Sequence, residues 1–68
     1  MLEVGAIYKC SDGNIRKLNK IEDDYLHYSV PIGDKGKWQW MNLGRTYRWQ
    51  AEPFFLGGKI IDQSEVES

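Results

Sequence analysis

Apolar and polar positions alternate through much of the first fifty residues, and that period of two predicts short strands rather than helices. Val4 to Cys10 places Val4, Ala6 and Tyr8 on one side, with Ile7 between them. Ser11-Asp12-Gly13-Asn14 then reads as a tight turn, since Gly and Asn tolerate positive φ and Asp caps the turn through its carboxylate. Ile15 to Glu22 is ambiguous. Ile15, Leu18, Ile21 and Tyr25 recur at helical spacing, but a strand with one bulged residue also brings them to one side. The flanking turn signals and the shortness of the segment favour the strand. Asp23-Asp24 makes the second turn. Tyr25 to Ile32 has the clearest alternation: Leu26, Tyr28, Val30 and Ile32 on one face, Tyr25, His27 and Ser29 on the other. Pro31 suggests an edge position near its end.

After a flexible loop at residues 33–37, Trp38 to Leu43 reads as a further strand, with Trp38 and Trp40 on one face and Met41 and Leu43 on the other. Gly44 to Tyr47 breaks the alternation and suggests a single helical turn. Arg48 to Ala51 reads as a short last strand stopped by Pro53. Phe54, Phe55 and Leu56 are too apolar for a free end and are expected to pack back on the body. The pattern predicts an all-β fold, a small antiparallel barrel or rolled sheet of four to five short strands over residues 1–58. Residues 59–68 then form a short acidic C-terminal tail, dispensable for folding beyond Ile61.

The residues in order are Gly5-x-x-Tyr8, Asp12-Gly13, Arg16-Lys17-Leu18 to Ile21, Asp24-Tyr25-Leu26-x-Tyr28-x-Val30, a Gly-containing loop, and Leu43-x-x-x-Tyr47-Arg48-Trp49. This order resembles the small SH3-like barrel proteins of tailed phages and prophages, over roughly residues 4–51. Paired Trp38 and Trp40 and the Phe54-Phe55 segment depart from that pattern. The resemblance implies an SH3-like fold and a phage or bacterial setting.

Sixty-eight residues make one domain with a modest core. Cys10 is the single cysteine and His27 the single histidine, so neither an intramolecular disulfide nor a spaced set of metal ligands is available. No cofactor or metal is expected. Without a charged leader or a long apolar run, the chain reads as soluble and cytoplasmic, with no membrane partner. Net charge is −1, unevenly spread: nine Lys or Arg against seven Asp or Glu up to residue 59, then Asp62, Glu65 and Glu67 with no base.

Catalysis is not expected. A Cys10–His27 pair would require the first and third strands to be neighbours, and Cys10 suits a small buried position better. Gly33-x-x-Gly36 lacks the context of a phosphate loop. The feature that suggests function is the run holding all three tryptophans: Trp38, Trp40, Arg45, Tyr47, Arg48 and Trp49, with Lys35 and Lys37 at its margin. Trp, Tyr and Arg are typical binding anchors, and aromatics beside Arg also suit stacking on bases. The same rings would equally serve as a core. Because both faces of the Trp38–Leu43 strand are apolar and a barrel has one interior, one set should stay partly exposed unless the Phe54-Phe55 segment or a second subunit covers it. The sequence therefore reads as a binding module. A protein partner or self-association is the first expectation. The alternative is a nucleic acid, held by Arg16, Lys17, Lys20, Lys35, Lys37, Arg45 and Arg48 and by stacking rings. No small-molecule substrate is indicated.

Overall fold

The structure, a computed structural model, describes residues 1–34 and 37–67. Strands β1 (Ile7–Lys9), β2 (Ile15–Ile21), β3 (Tyr25–Ile32), β4 (Gln39–Tyr47) and β5 (Lys59–Ile61) form one antiparallel sheet in the order β4-β3-β2-β1-β5. Helix α1 (Arg48–Leu56) joins β4 to β5, and α2 (Gln63–Glu67) follows β5. This is the expected small all-β architecture. Four strands meander, and the fifth returns to pair with the first.

The β1–β2 turn closes as its residues dictate. Gly13 takes φ 88°, a left-handed value that suits glycine. Asp12 accepts a hydrogen bond from the Asn14 backbone N–H at 3.1 Å. Arg16 donates to both Asp12 oxygens at 3.0 and 2.9 Å. That guanidinium and the Asn14 amide hold the Asp12 carboxyl at about 2, below its ordinary 3.8. A depressed folded-state value stabilises the fold fully above the ordinary one, and the contribution disappears as the pH falls through the folded-state value. Asp12→Ala should therefore lower the melting temperature at neutral pH. The gap to the parent protein should close as the pH is taken from about 4 to about 2.

Two bulges set which side chains face which way. In β2, Leu18 lies opposite Tyr28 and Lys20 opposite His27, so Asn19 is the extra residue. Its side chain donates to Ser29 Oγ at 2.7 Å. The bulge brings Leu18 and Ile21, three residues apart, to the same face, which explains the helical spacing seen in a strand. In β4, Asn42 lies opposite Ser29 and Arg45 opposite His27, so the extra residue falls at Leu43–Gly44. Gly44 adopts φ 76°, and its N–H donates to Asn42 Oδ1 at 2.8 Å. Residues 44–47 are thus strand, not the helical turn that the broken alternation suggested. Pro31 lies beyond Ser29, the last β3 residue in register with β2, where its missing N–H costs no ladder bond.

Residues 48–51, expected as a last strand, instead open α1, which runs through Pro53 to Leu56. Pro53 has no N–H to offer the Trp49 carbonyl, a local penalty. Burial of Ala51 and Phe55, one helical turn apart, outweighs it. An Arg48–Glu52 ion pair at 2.6 Å adds support. At the far end, the Ser11 N–H donates to the Phe54 carbonyl at 3.0 Å and ties α1 to the first turn. The three residues of β5, placed in the tail by the sequence, belong to the sheet: Ile61 lies opposite Ile7 and Lys59 opposite Lys9. β1 is shorter than the alternation implied, because Gly5 turns the chain at φ 91° before it.

The core lies between the sheet and α1. Tyr8, Cys10, Leu18, Leu26, Ala51 and Phe55 form it, with Leu2, Ala6, Ile21 and Tyr28 packed around. Phe55 meets Tyr8 and Tyr28 edge-on, with ring centroids 5.3 and 5.8 Å apart. The expected packing-back of residues 54–56 therefore rests on Phe55. Phe54 and Leu56 stay exposed.

Candidate functional site

The core rings are Tyr8, Tyr28 and Phe55, and the three tryptophans stand outside the core cluster. Their placement follows from strand register. Residues opposite one another in a ladder share a face. Leu26 points into the core, so His27 and Tyr25 point away from it, and their partners Arg45 and Tyr47 do likewise. The same reasoning carries Lys20, opposite His27, and Lys17, opposite Ser29, to this outer face. Trp40 joins them opposite Pro31, and Lys9 and Lys59 lie opposite each other at its far corner. Every charged residue in the described strands is basic: Lys9, Arg16, Lys17, Lys20, Arg45 and Lys59. Of these, Arg16 alone lies on the core side, bound to Asp12 and lying over the Tyr28 and Phe54 rings at 5.3 and 5.5 Å. Asp and Glu are confined to turns, helices and the terminal segments.

Two aromatic clusters occupy this face. At one end Trp38 and Trp40, both half-buried, meet edge-on at 5.1 Å, and Lys17 Nζ sits 5.8 Å over the Trp40 ring. At the other end the Arg45 guanidinium lies 4.4 Å over Tyr25. Tyr25 stacks on Tyr47 at 5.3 Å, and Tyr47 faces Trp49 at 6.4 Å with 30° between the planes. The stack opens outward, with Tyr47 51 % and Trp49 72 % exposed. Arg48 is turned inward to Glu52, and its backbone N–H donates to the Asp24 carbonyl at 2.8 Å. The outward-facing residues of the Trp38–Trp49 segment thus form one surface with two centres, and β3 supplies a ring to one of them. Lys37 is exposed at the margin, and Lys35 lies outside the described residues.

Sequence reasoning missed Tyr25, Lys9 and Lys59. Alternation had put Tyr25 opposite in sense to Leu26. Joining it to Tyr47 required the β3–β4 register, which the Gly44 bulge shifts by one residue. The two-sided strand is resolved unevenly. Met41 and Leu43, on the α1 side but past the end of α1, stay exposed at 42 % and 46 %. The Trp38 side is half-covered, since Trp38, Ile15 and Pro31 share a cleft with Val66 and Glu67 around α2.

Acidic groups mark the margins. Asp23, Asp24 and Glu52 share a cleft with Tyr25, Tyr47, Arg48 and Trp49. Glu22 hydrogen-bonds His27, and that contact lowers the Glu22 carboxyl below its usual range. Cys10 sits in the core on the opposite side of the sheet from His27, with β2 between β1 and β3, so the two do not form a dyad. Burial pushes the Cys10 thiol up. Among the described residues no helix is long and apolar enough to cross a membrane, and no group of three His, Cys, Asp or Glu side chains is placed to hold a metal ion.

Comparison with protein-family models, with curated protein sequences and with solved structures finds no match for this chain.

Proposed function

We propose that the chain is a non-catalytic binding module whose contact surface is the outer face of the sheet, from Trp40 to Trp49. In this reading it is a cytoplasmic accessory protein of the phage or bacterial kind that the sequence resembles. The observation that carries it is the outward-opening Tyr25–Tyr47–Trp49 stack. A small domain has little apolar area to spare, and burying a tryptophan is among its largest gains. Here the core is completed by Tyr8, Tyr28 and Phe55, while Trp49 is left in water. Rings arranged in this way are anchors for a partner.

The test compares the parent protein with the Tyr47→Ala/Trp49→Ala double variant as immobilised baits in a bacterial lysate, with and without nuclease. Each exposed anchor should be worth about 2 kcal/mol, or roughly 30-fold in affinity. Material held by the parent should be lost from the variant, while the circular dichroism spectrum and melting temperature stay unchanged. Equal capture by both baits, capture by neither, or unfolding of the variant would each refute this surface.

A further inference from the structure

We infer that the occupant of this face is a single-stranded polynucleotide, with its phosphates along Lys17 and Lys20 of β2 and its bases against the rings of β3, β4 and α1. The inference rests on the binding-module reading and names the partner of the same surface. Its first support is charge. The strands put Lys9, Lys17, Lys20, Arg45 and Lys59 on one face and contribute no carboxylate of their own; Glu22, from the β2–β3 turn, is engaged by His27, and Glu67 of α2 lies beside Trp38, so this face stays net basic although the whole chain carries a net charge of −1. Segregation of this kind builds a polyanion track within a near-neutral protein. Lysine is depleted in the centres of protein–protein interfaces. Here Lys17 lies over Trp40, and Lys20 is next but one across the sheet from Arg45.

The second support is the form of the aromatic groups. Rings that present their faces stack on unpaired bases of any sequence, whereas paired bases in a duplex are already stacked. A duplex is read by an element that enters a groove, usually a helix or a two-stranded ribbon. This face is the open surface of a sheet instead, with no protruding helix or ribbon. Arg45, Tyr25, Tyr47 and Trp49 already form a stack, and a base laid on the outer face of Trp49 would extend it without rearrangement. From Pro31, beside Trp40, to Tyr25, beside Tyr47, the strand rise gives a path of about 20 Å. That length suits about four nucleotides, the low end for single-strand-binding domains. Asp23 and Asp24 beside Trp49 repel phosphates at that end and direct the backbone toward β2.

The test is fluorescence anisotropy of the full chain with a fluorescein-labelled twelve-residue oligothymidine, the corresponding duplex, and heparin as competitor. The single strand should bind more than tenfold tighter than the duplex, and its affinity should fall with salt at a log–log slope of about −2. Lys17→Ala/Lys20→Ala should reduce that slope by about 1 or more, and Trp49→Ala should weaken binding about 30-fold at any salt. Equal affinity for the duplex, equal displacement by heparin with no effect of Trp49→Ala, or absence of binding would overturn the inference. If the oligonucleotide fails but a lysate protein is captured and is lost from the Tyr47→Ala/Trp49→Ala bait, the module stands and its partner is a protein. If both fail, the module reading falls as well.

Discussion

Phe55→Ala should leave the protein unfolded or close to its midpoint at room temperature. Phe55 is 1 % exposed and lies between Tyr8 and Tyr28. It is also the ring that fastens α1 to the sheet. Truncating a buried phenylalanine costs about 3–5 kcal/mol, part transfer energy and part residual cavity. A chain of 68 residues has a total stability of only about 3–10 kcal/mol. Urea titration followed by near-ultraviolet circular dichroism would measure the loss. Phe54→Ala, at an exposed neighbour, serves as the control and should cost under about 1 kcal/mol. A loss from Phe55→Ala as small as that of the control would mean that α1 is not an integral part of the core.

Gly58→Val should detach β5. A Cβ at Gly58 would lie 2.4 Å from the Lys9 carbonyl oxygen and 2.8 Å from the Cys10 Cα, both main-chain atoms that cannot step aside. The strand must lift, exposing Ile61 and breaking the ladder to Ile7 and Lys9. Overpacking of this severity costs about 1–3 kcal/mol or more. At about 4–8 °C per kcal/mol for a domain of this size, the melting temperature should fall by roughly 10 °C or more. Hydrogen exchange should speed up at the β1 amides that face β5, and much less in β3. At Gly57 a Cβ would meet the Ser11 side chain at 3.0 Å and the Pro53 carbonyl at 3.2 Å, so Gly57→Ala should be milder.

These two positions also show what the sequence could and could not convey. The β3 boundaries were legible because alternation and turn residues agreed there, whereas β2 was favoured as a strand by its turns and shortness against a helical spacing that the Asn19 bulge explains. α1 was not, because Pro53 argued locally for an end while the burial that overrides it depends on contacts with β1 and β3, distant in sequence. β5 was hidden by its three-residue length between a glycine pair and acidic residues. At the site, the Trp38–Trp49 run was legible as a cluster, but its division into two centres was not. That division comes from the one-residue shift at Gly44, which turns Arg45 and Tyr47 toward Tyr25. A glycine that interrupts an alternating pattern can mean a turn or a bulge, and only the neighbouring strand decides which.

The return of β5 to β1 has a consequence for how the chain is made. Ile7 is synthesised early, yet its partner Ile61 is not available until most of the domain has left the ribosome. β2 can pair with β1 as soon as the first turn forms, because that hairpin is local and its loop entropy is small. The other margin of β1 must wait with its peptide groups open, and an open strand margin is where chains join to one another. Slowing translation between α1 and β5 should therefore increase aggregation of nascent chains. The Lys9 side chain, charged and on that margin, is the local safeguard during the interval.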